Sequence, residues 1–282
     1  MRETLKEPHI IDVLIEERAL RMREHPLLWK LVRKVCNRVL GYKKAVGMAD
    51  DISLMNGIEV FDYFSDLLEL DMHVKGPENI PKTGAVMITP NHPAGIADGV
   101  AIYEVLKQVR EDICFVANRD ALRVAPAMSD TILPVEWRES ERTIQKQRET
   151  VRAIIKALKE ERAVVVFPSG RLARPTLQGL KERPWHGTAL SFADKYQIPV
   201  VPIHIKGRNT AFYYATWYIN TELKDMTLFR ELLNKKGQTY HITVGESFTV
   251  DGDVNECTRQ LQNYVLNDLK KGKTHFTQTS TS

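Results

Sequence analysis

The sequence predicts an α/β fold in which a mostly parallel or mixed central sheet is flanked by helices and preceded by an N-terminal helical segment. From residue 71 onward, short apolar runs typical of buried strands alternate with longer runs of helical periodicity. Before residue 71, the apolar residues recur only at helical spacing. Sheets built from such alternation carry their functional residues beyond the strand ends. We assign residues 1–70 to the helical segment, 71–270 to the α/β domain and the polar residues 271–282 to a disordered tail.

Composition narrows the class of protein. With 282 residues, 43% of them hydrophobic, the chain is long enough to bury a large core. Its formal charge of +4 is too small to indicate a nucleic-acid-binding protein. The three cysteines, Cys36, Cys114 and Cys257, form no CxxC pair, which argues against a zinc site or a disulfide framework and favours a reducing compartment. We find no signal peptide and no apolar run of about 18 residues, so we expect a cytoplasmic protein without a membrane span.

The N-terminal segment divides into three predicted helices, Ile10–Arg23, Pro26–Leu40 and Ile52–Leu70. Pro26 suits the first turn of the middle helix, which is strongly amphipathic. Its apolar face consists of Leu27, Leu28, Leu31, Val32, Val35, Cys36, Val39 and Leu40. Its other face is basic, and no acidic residue interrupts Lys30, Arg33, Lys34 and Arg38, continued by Lys43 and Lys44.

A basic amphipathic helix with an aromatic residue near its start is typical of segments that adsorb to an anionic membrane surface. The predicted membrane-binding residues are Trp29, Lys30, Arg33, Lys34 and Arg38. The alternative is that the apolar face packs on the protein core and the basic side chains are simply solvated. Amphipathicity does not distinguish a lipid partner from a protein partner.

The α/β region contains seven strand-like runs and four helical runs. The strand-like runs are Met72–Lys75, Ala85–Thr89, Ile113–Ala117, Thr131–Val135, Ala163–Phe167, Val200–Ile205 and Tyr240–Val244. The helical runs are Gly99–Val109, Glu141–Glu161, Gly187–Tyr196 and Arg208–Ile219.

The segment Asn91–Gly99, directly after the second strand-like run, holds a His and an Asp in a Pro/Gly turn. On a straight helix, residues six apart differ by about 240° around the axis, so His92 and Asp98 would point away from each other. Pro93 and Gly95 allow the chain to bend, so that Asp98 enters the first turn of a helix and reaches the imidazole. Such a pair can act as a general base at neutral pH. Alternatively, Asp98 only caps a helix and His92 is an ordinary loop residue.

Three later strand ends also carry polar residues. Asn118-Arg119-Asp120 follows one strand, Pro168–Pro175 with two arginines follows another, and Lys206–Asn209 follows a third. Arginine provides a forked cationic donor set suited to phosphate or carboxylate. Taken singly, each of these segments is more typical of a turn with solvated arginines. Their shared position after strands favours a functional role.

In this order, the four segments resemble the blocks of the glycerolipid acyltransferase superfamily, the PlsC-like lysophosphatidic acid acyltransferases. The matching segments are Asn91-His92 with Asp98, Phe115-Val116-Ala117-Asn118-Arg119, Phe167-Pro168-Ser169-Gly170-Arg171 and Val201-Pro202-Ile203. The lead-in Val74–Pro81 is similar as well, and the resemblance spans residues 72–209, about half the chain.

Two departures from the family pattern concern the first and third blocks. Five residues, rather than the usual four, separate His92 from Asp98, which resembles a subgroup with Asn-His-Pro-x-Gly-x-x-Asp-Gly that includes lyso-ornithine lipid acyltransferases. In the third block, Ser169 replaces the family's Glu, Arg171 takes the Thr position and Leu172 the Arg position. The altered third block is consistent with a different acceptor, with Arg171 or Arg174 taking over anion binding.

The resemblance implies acyl transfer from acyl-CoA or acyl carrier protein to the hydroxyl of a lysophospholipid or related lyso-lipid, as in 1-acylglycerol-3-phosphate acyltransferases, with no further cofactor and no metal. His92 would remove the hydroxyl proton, while Asp98 orients His92 and stabilises the imidazolium. The implied substrate-binding residues are Asn91, Gly95, Arg119, Ser169, Gly170, Arg171, Arg174 and Pro202. A lyso-lipid acceptor also favours peripheral attachment to the inner face of the cell membrane.

Other classes of protein fit the sequence less well. A serine hydrolase using Ser169 lacks the first Gly of a Gly-x-Ser-x-Gly elbow. A metal hydrolase built on His92 and Asp98 lacks further clustered ligands. A non-catalytic lipid-binding relative of the same fold stays open, because the third block is altered.

Overall fold

A seven-stranded sheet forms the centre of the domain in the computed structural model, which describes residues 8–39 and 41–279. Residues 1–7, 40 and 280–282, and with them the ends of the predicted helical segment and tail, lie outside the described part. The strands are β1 (Asp71–Lys75), β2 (Val86–Pro90), β3 (Ile113–Asn118), β4 (Ile132–Val135), β5 (Ala163–Val165), β6 (Arg174–Thr176), β7 (Gly179–Lys181), β8 (Val200–Lys206) and β9 (Thr239–Val244). The sheet order is β1-β9-β8-β2-β5-β3-β4, and β6 and β7 form a separate hairpin.

Five neighbouring strands of the sheet run in parallel, namely β8, β2, β5, β3 and β4. Strand β9 is antiparallel to β8, and β1 is parallel to β9. The mixed, mostly parallel sheet confirms the predicted fold class, and each of the seven predicted strand runs contributes one of its strands. The carboxyl ends of the five parallel strands meet at one edge, which is where ligands bind in such sheets.

Helices cover both faces of the sheet and the N-terminal side. They are α1 (Ile10–Arg18), α2 (Leu20–Arg23), α3 (Pro26–Val39), α4 (Tyr42–Ile52), α5 (Gly57–Leu68), α6 (Ile96–Leu106), α7 (Asp120–Val124), α8 (Ile144–Lys159), α9 (Thr188–Tyr196), α10 (Ala211–Ile219), α11 (Thr221–Leu233) and α12 (Val254–Asn263). The helix predicted for 52–70 is present as α5, but it begins five residues later than predicted, because Asn56 and Glu59 form a reciprocal capping box that starts it at Gly57. Helix α4 was not predicted.

The sheet has a hydrophobic core on each face, because alternate residues of a strand point to opposite sides. In β2, Val86 and Ile88 join the core that includes residues of α5 and α6, whereas Met87 joins the core that includes residues of α8, α9 and α12. Phe115 and Cys114 of β3 separate in the same way. The two cores hold the sheet, including the edge where the parallel strands end, between rigid layers.

The sequence predicts one continuous apolar face on helix α3, but the described apolar residues of this helix point in different directions. Trp29 and Val32 turn toward the protein, where they pack on a small buried cluster. Leu27, Leu31 and Val35 are instead 87%, 61% and 52% exposed. The cluster under the helix consists of Ala19, Met22 and Met226. Trp29 is therefore partly buried against the protein, on the side of the helix that faces α11, and its binding of membrane stays a prediction.

Arg33 also differs from its predicted membrane-binding role. Its guanidinium forms ion pairs with Asp12 at 2.5 Å and Glu16 at 2.6 Å, both on α1. Sequence periodicity alone does not reveal these partners, because they lie on another helix. The side chains of Leu28, Cys36 and Val39 lie outside the described part.

The end of the chain differs from the predicted disordered tail over the residues that the structure describes. Phe276 is only 7% exposed and packs its ring against those of Phe248 and Tyr264. Glu246 N donates a hydrogen bond to Thr274 O at 2.8 Å. The composition of 271–282 is polar, but one buried aromatic residue is sufficient to anchor residues 273–279 to the domain.

Three features concern membrane-spanning helices, metal-binding clusters and cysteines. Among residues 8–39 and 41–279, no helix combines the length and apolar character that a bilayer span requires. The same part of the chain contains no group of three or more His, Cys, Asp or Glu side chains that suits a metal ion. Cys114 and Cys257 are buried free thiols, and burial raises the pKa of Cys114 to about 12.

Candidate active site

The turn after β2 brings His92 and Asp98 together as the sequence predicts. Gly95 has φ +98° and ψ −136°, a conformation open to glycine, and α6 begins at the next residue. Asp98 therefore lies in the first turn of α6 and faces back toward the strand end. Its Oδ2 lies 2.9 Å from His92 Nδ1. The Pro/Gly turn bends the chain, so the two side chains face each other, whereas on a straight helix they would point apart.

The carboxylate of Asp98 is held in a single place. Its Oδ2 accepts hydrogen bonds from Ala94 N at 2.7 Å and Gly95 N at 2.9 Å, in addition to its contact with His92. The side chain is fully buried at the N-terminal end of α6, where the helix dipole favours negative charge. Asp98 thus holds the turn at the start of α6 and also orients the imidazole, so the two interpretations of this residue are compatible.

His92 combines a fixed ring with an accessible edge. The ring packs on Phe167, with centroids 4.2 Å apart and planes inclined by 31°. Its side chain is 20% exposed, and because Asp98 lies at Nδ1, Nε2 is the nitrogen available to a substrate. A neutral imidazole with Nδ1–H directed at a carboxylate can accept a proton at Nε2.

The third block closes over this pair. Phe167 ends the extension of β5, and Gly170 N donates to Phe167 O at 2.9 Å in a tight turn. Ala173 N then donates to His92 O at 2.9 Å. The first and third blocks, which are about 75 residues apart in the chain, therefore form one site at the edge where the parallel strands end.

Comparison with known protein families identifies this arrangement. Residues 71–206, from β1 to the end of β8, match the model of a family described as Acyltransferase. These residues form a domain of the Acyltransferase family, and with this domain the protein is an O-acyltransferase.

Two lyso-glycine lipid O-acyltransferases are similar to this acyltransferase over most of their length. The protein of Phocaeicola vulgatus is 23% identical over 222 residues, which cover 74% of this chain and 77% of that protein. The protein of Bacteroides thetaiotaomicron is 24% identical over 250 residues, covering 84% and 88%. A crystal structure of the 1-acyl-sn-glycerophosphate (LPA) acyltransferase PlsC from Thermotoga maritima aligns with a TM-score of 0.49 at 16% identity, covering 95% of this chain and 99% of that one.

Two residues predicted to bind substrate in this acyltransferase are instead part of the sheet. Asn91 Nδ2 donates to Ile205 O at 3.0 Å, and Ile205 N donates to Asn91 Oδ1 at 2.6 Å. The Asn91 side chain therefore bridges to β8 as a backbone amide would. Pro202 is buried in β8 opposite Thr89 of β2. The structure thus gives both residues partners inside the protein, and their binding of substrate stays a prediction.

Ser169 and Gly95 are also turned away from a substrate-binding role. Ser169 is 1% exposed, and its Oγ donates to Arg171 O at 2.8 Å, so it neither binds substrate nor meets a base as a nucleophile. The N–H of Gly95, also an implied substrate-binding residue, donates to Asp98 Oδ2 at 2.9 Å. The altered position in the third block thus serves the turn, and the same turn contains Gly170 at φ +61°.

The three predicted anion-binding arginines lie in different surroundings. Arg119 Nη2 donates to Glu149 Oε2 of α8 at 2.6 Å, and β5 separates its strand from β2. Arg171 is half-buried in the turn of the third block, and Arg174 is exposed at the start of β6. Binding of substrate by these arginines and by Gly170 stays a prediction.

Glu182 is a further site residue, and sequence reasoning does not identify it. It is 7% exposed, and its Oε1 accepts a hydrogen bond from the backbone N of His92 at 2.5 Å. Its Oε2 accepts from Trp185 Nε1 at 2.8 Å. Burial raises the pKa of Glu182, while these two N–H donors favour its charged form. A second carboxylate therefore borders the histidine, and no spacing rule connects position 182 to position 92.

The loop after β8, which continues the fourth block, is held by a buried lysine. Lys235 Nζ donates to Arg208 O at 2.8 Å and to Asn209 Oδ1 at 2.9 Å. Glu231 accepts from Thr210 N at 2.8 Å and lies 3.8 Å from the lysine. These contacts join α11 to the catalytic edge of the sheet, and the basic residues after β8 owe their position to them.

Proposed function

We propose that this acyltransferase moves a fatty acyl group from a thioester donor, acyl-CoA or acyl carrier protein, to the hydroxyl of a lyso-lipid, with His92 as the general base. The observation that carries the proposal is the buried carboxylate of Asp98 at 2.9 Å from His92 Nδ1. A protein that only binds lipid has no need of an imidazole oriented in this way and left accessible at Nε2. The altered third block is compatible with catalysis, because Ser169 serves the turn rather than the chemistry.

The proposed reaction is a direct transfer. His92 Nε2 removes the proton of the acceptor hydroxyl as its oxygen attacks the thioester carbonyl carbon. The tetrahedral intermediate collapses with cleavage of the carbon–sulfur bond, and the imidazolium returns its proton to the departing thiolate. Asp98 stabilises the imidazolium between these two steps. No acyl-enzyme is needed.

The names of the two relatives favour an amino-acid lyso-lipid, of the lyso-glycine class, as the acceptor. The departure of the third block from the pattern of lysophosphatidic acid acyltransferases supports the same proposal, because a different headgroup requires different contacts. Arg171 and Arg174 lie on either side of Ala173, whose backbone N donates to His92 O, and they suit either a carboxylate or a phosphate.

An acyl-transfer assay tests this function. Purified protein is mixed with radiolabelled acyl-CoA or acyl carrier protein and with lyso-glycine lipid, lyso-ornithine lipid or lysophosphatidic acid. We expect a diacyl product with at least one acceptor, most rapidly with lyso-glycine lipid. Absence of a labelled product from every donor and acceptor pair contradicts the proposal.

We also propose that α3 attaches the enzyme peripherally to the inner face of the cell membrane, where a lyso-lipid acceptor is located. Three apolar residues of α3 are exposed, and an exposed cation follows each of them by three positions. The apolar residues are Leu27, Leu31 and Val35, and the cations are Lys30, Lys34 and Arg38. An apolar stripe bordered by cations suits an anionic bilayer surface. Since Trp29 and Val32 face the protein, the exposed stripe, and not the whole apolar face, is the part proposed to meet lipid.

Replacing Lys30, Lys34 and Arg38 together by Gln is expected to weaken binding to phosphatidylglycerol vesicles roughly a hundredfold, at about 1 kcal/mol per cation. Co-sedimentation with vesicles measures the effect. The matched control replaces three exposed cations of α8, Arg152, Lys156 and Lys159, by Gln. An equal loss in both variants shows that only net charge matters and contradicts a specific role for α3.

A further inference from the structure

The hairpin of β6 and β7 exposes apolar side chains, and the residues at its two ends contact His92. Leu177, at its tip, is fully exposed, and Leu180 is 39% exposed. The two strands pair only with each other, so the hairpin projects from the domain rather than joining the central sheet. Leucine at such a tip contributes nothing to the hydrophobic core and is costly to hydrate.

The end of α10 extends this apolar surface. Tyr218 and Ile219 are 70% and 74% exposed, and Tyr218 Oη donates to Pro175 O of the hairpin at 3.3 Å. Farther along, Glu222 of α11 accepts from the backbone N–H of Arg21 on α2 at 2.9 Å. Direct contacts therefore connect the hairpin through α10 and α11 to the N-terminal helices.

The exposed charged residues of the hairpin and its flanks have one sign. Arg174, Lys181 and Arg183 are exposed at its base. No Asp or Glu occurs from Arg171 to Lys181, and the next acidic residue, Glu182, is buried against His92. An apolar tip with cations at its base is complementary to the surface of an anionic bilayer, whose headgroups are negative and whose interior is apolar.

Both ends of the hairpin are fastened to the catalytic histidine. On one side, Ala173 N donates to His92 O at 2.9 Å, and on the other, Glu182 Oε1 accepts from His92 N. The hairpin thus begins and ends beside the backbone of His92, the proposed general base. A surface that binds the tip of the hairpin therefore lies close to the entrance of the site.

We propose that the hairpin 174–181 inserts Leu177 and Leu180 into the surface of an anionic membrane and so places the entrance of the active site at the bilayer. The proposal rests on the proposed function in one respect, namely that the acceptor is a lipid drawn from that bilayer. Together with α3, the hairpin gives the enzyme a second point of attachment, and two points define its orientation on the membrane.

Replacing Leu177 by Asp tests the role of the tip. We expect about tenfold weaker co-sedimentation with phosphatidylglycerol vesicles and a similar loss of transfer to a vesicle-borne acceptor, since one exposed leucine is removed and a negative charge is added. Transfer to a short-chain acceptor that is monomeric in water is expected to be unchanged. The matched control is Leu54→Asp, at a leucine that is 91% exposed outside this surface.

A second variant reports insertion without any activity measurement. Leu177→Trp is expected to show additional fluorescence quenching by vesicles with brominated acyl chains, compared with the wild-type protein and its native tryptophans. Unchanged vesicle binding in Leu177→Asp, an equal loss in Leu54→Asp, or no additional quenching in Leu177→Trp overturns the proposal. If the tip inserts but no lyso-lipid is acylated, the proposed function fails and the membrane contact stands; if acylation proceeds and the tip does not insert, the reverse holds.

Discussion

Replacing His92 by Ala is expected to lower kcat for acyl transfer by about a hundred- to ten-thousand-fold, the range that a positioned general base supplies. The imidazole is the group with both an orienting carboxylate at Nδ1 and an accessible Nε2. The variant retains the hydrogen bonds of the His92 backbone to Ala173 and Glu182, so the site keeps its shape. Transfer of a labelled acyl chain to the best acceptor measures the effect.

His73 offers a matched control for this substitution. It lies on β1, at the far edge of the sheet, with Nε2 3.2 Å from Asp71 Oδ2, so it is also a histidine beside an aspartate. His73→Ala is expected to leave kcat within about twofold, since surface substitutions rarely disturb a fold. Vesicle binding is expected to persist in both variants. A His92→Ala variant with near wild-type kcat contradicts general-base catalysis by this residue.

Asp98→Asn is expected to lower kcat by about a thousandfold or more, in line with the loss seen when the orienting carboxylate of a catalytic histidine becomes an amide. Asp98 Oδ2 accepts from three N–H groups, those of Ala94, Gly95 and the His92 ring. An uncharged amide no longer stabilises the imidazolium, and its NH2 group favours the wrong tautomer of the ring. Because Asp98 is fully buried, we expect KM to change little. A large rise in KM at constant kcat contradicts the proposed role.

Glu182→Gln tests whether the charge of Glu182 contributes to the proposed chemistry. Glu182 accepts a hydrogen bond from the backbone N–H of His92 and does not contact the ring, so the amide removes a negative charge while the His92–Asp98 contact remains. A nearby anion stabilises the imidazolium that forms during the proposed reaction, so we expect the variant to have about a tenfold lower kcat. An unchanged kcat shows that Glu182 acts only in packing.

Most of the fold follows from local patterns in the chain. All seven predicted runs become strands of one sheet, and β2, β5 and β8 are mainly apolar because they are buried on both faces, whereas residues of β1 and β9 alternate between more and less buried positions. Helix α4 is missed, and α5 begins later than predicted because a capping box at Asn56 fixes its start. The end of the chain is missed for a similar reason, because a single buried aromatic, Phe276, anchors an otherwise polar segment.

The catalytic pair is visible in the sequence because all of its determinants are local. His92, the Pro93 and Gly95 turn and Asp98 lie within seven residues, and backbone sterics at those residues decide their geometry. The order of the later blocks, each after a strand, adds the information that they meet at one edge of the sheet. The acyltransferase family and the proposed His/Asp chemistry can therefore be predicted from the sequence.

Contacts between distant segments are decided only when the chain is folded. Asn91 is the sequence neighbour of His92, yet its side chain forms its hydrogen bonds with the backbone of β8. Glu182 becomes a neighbour of His92 because a hairpin returns the chain to its starting point. On α3, partners on α1 and α11 select which residues stay exposed. Periodicity records which residues are apolar or charged, but the partner that covers each face lies elsewhere in the chain, and only tertiary packing supplies it.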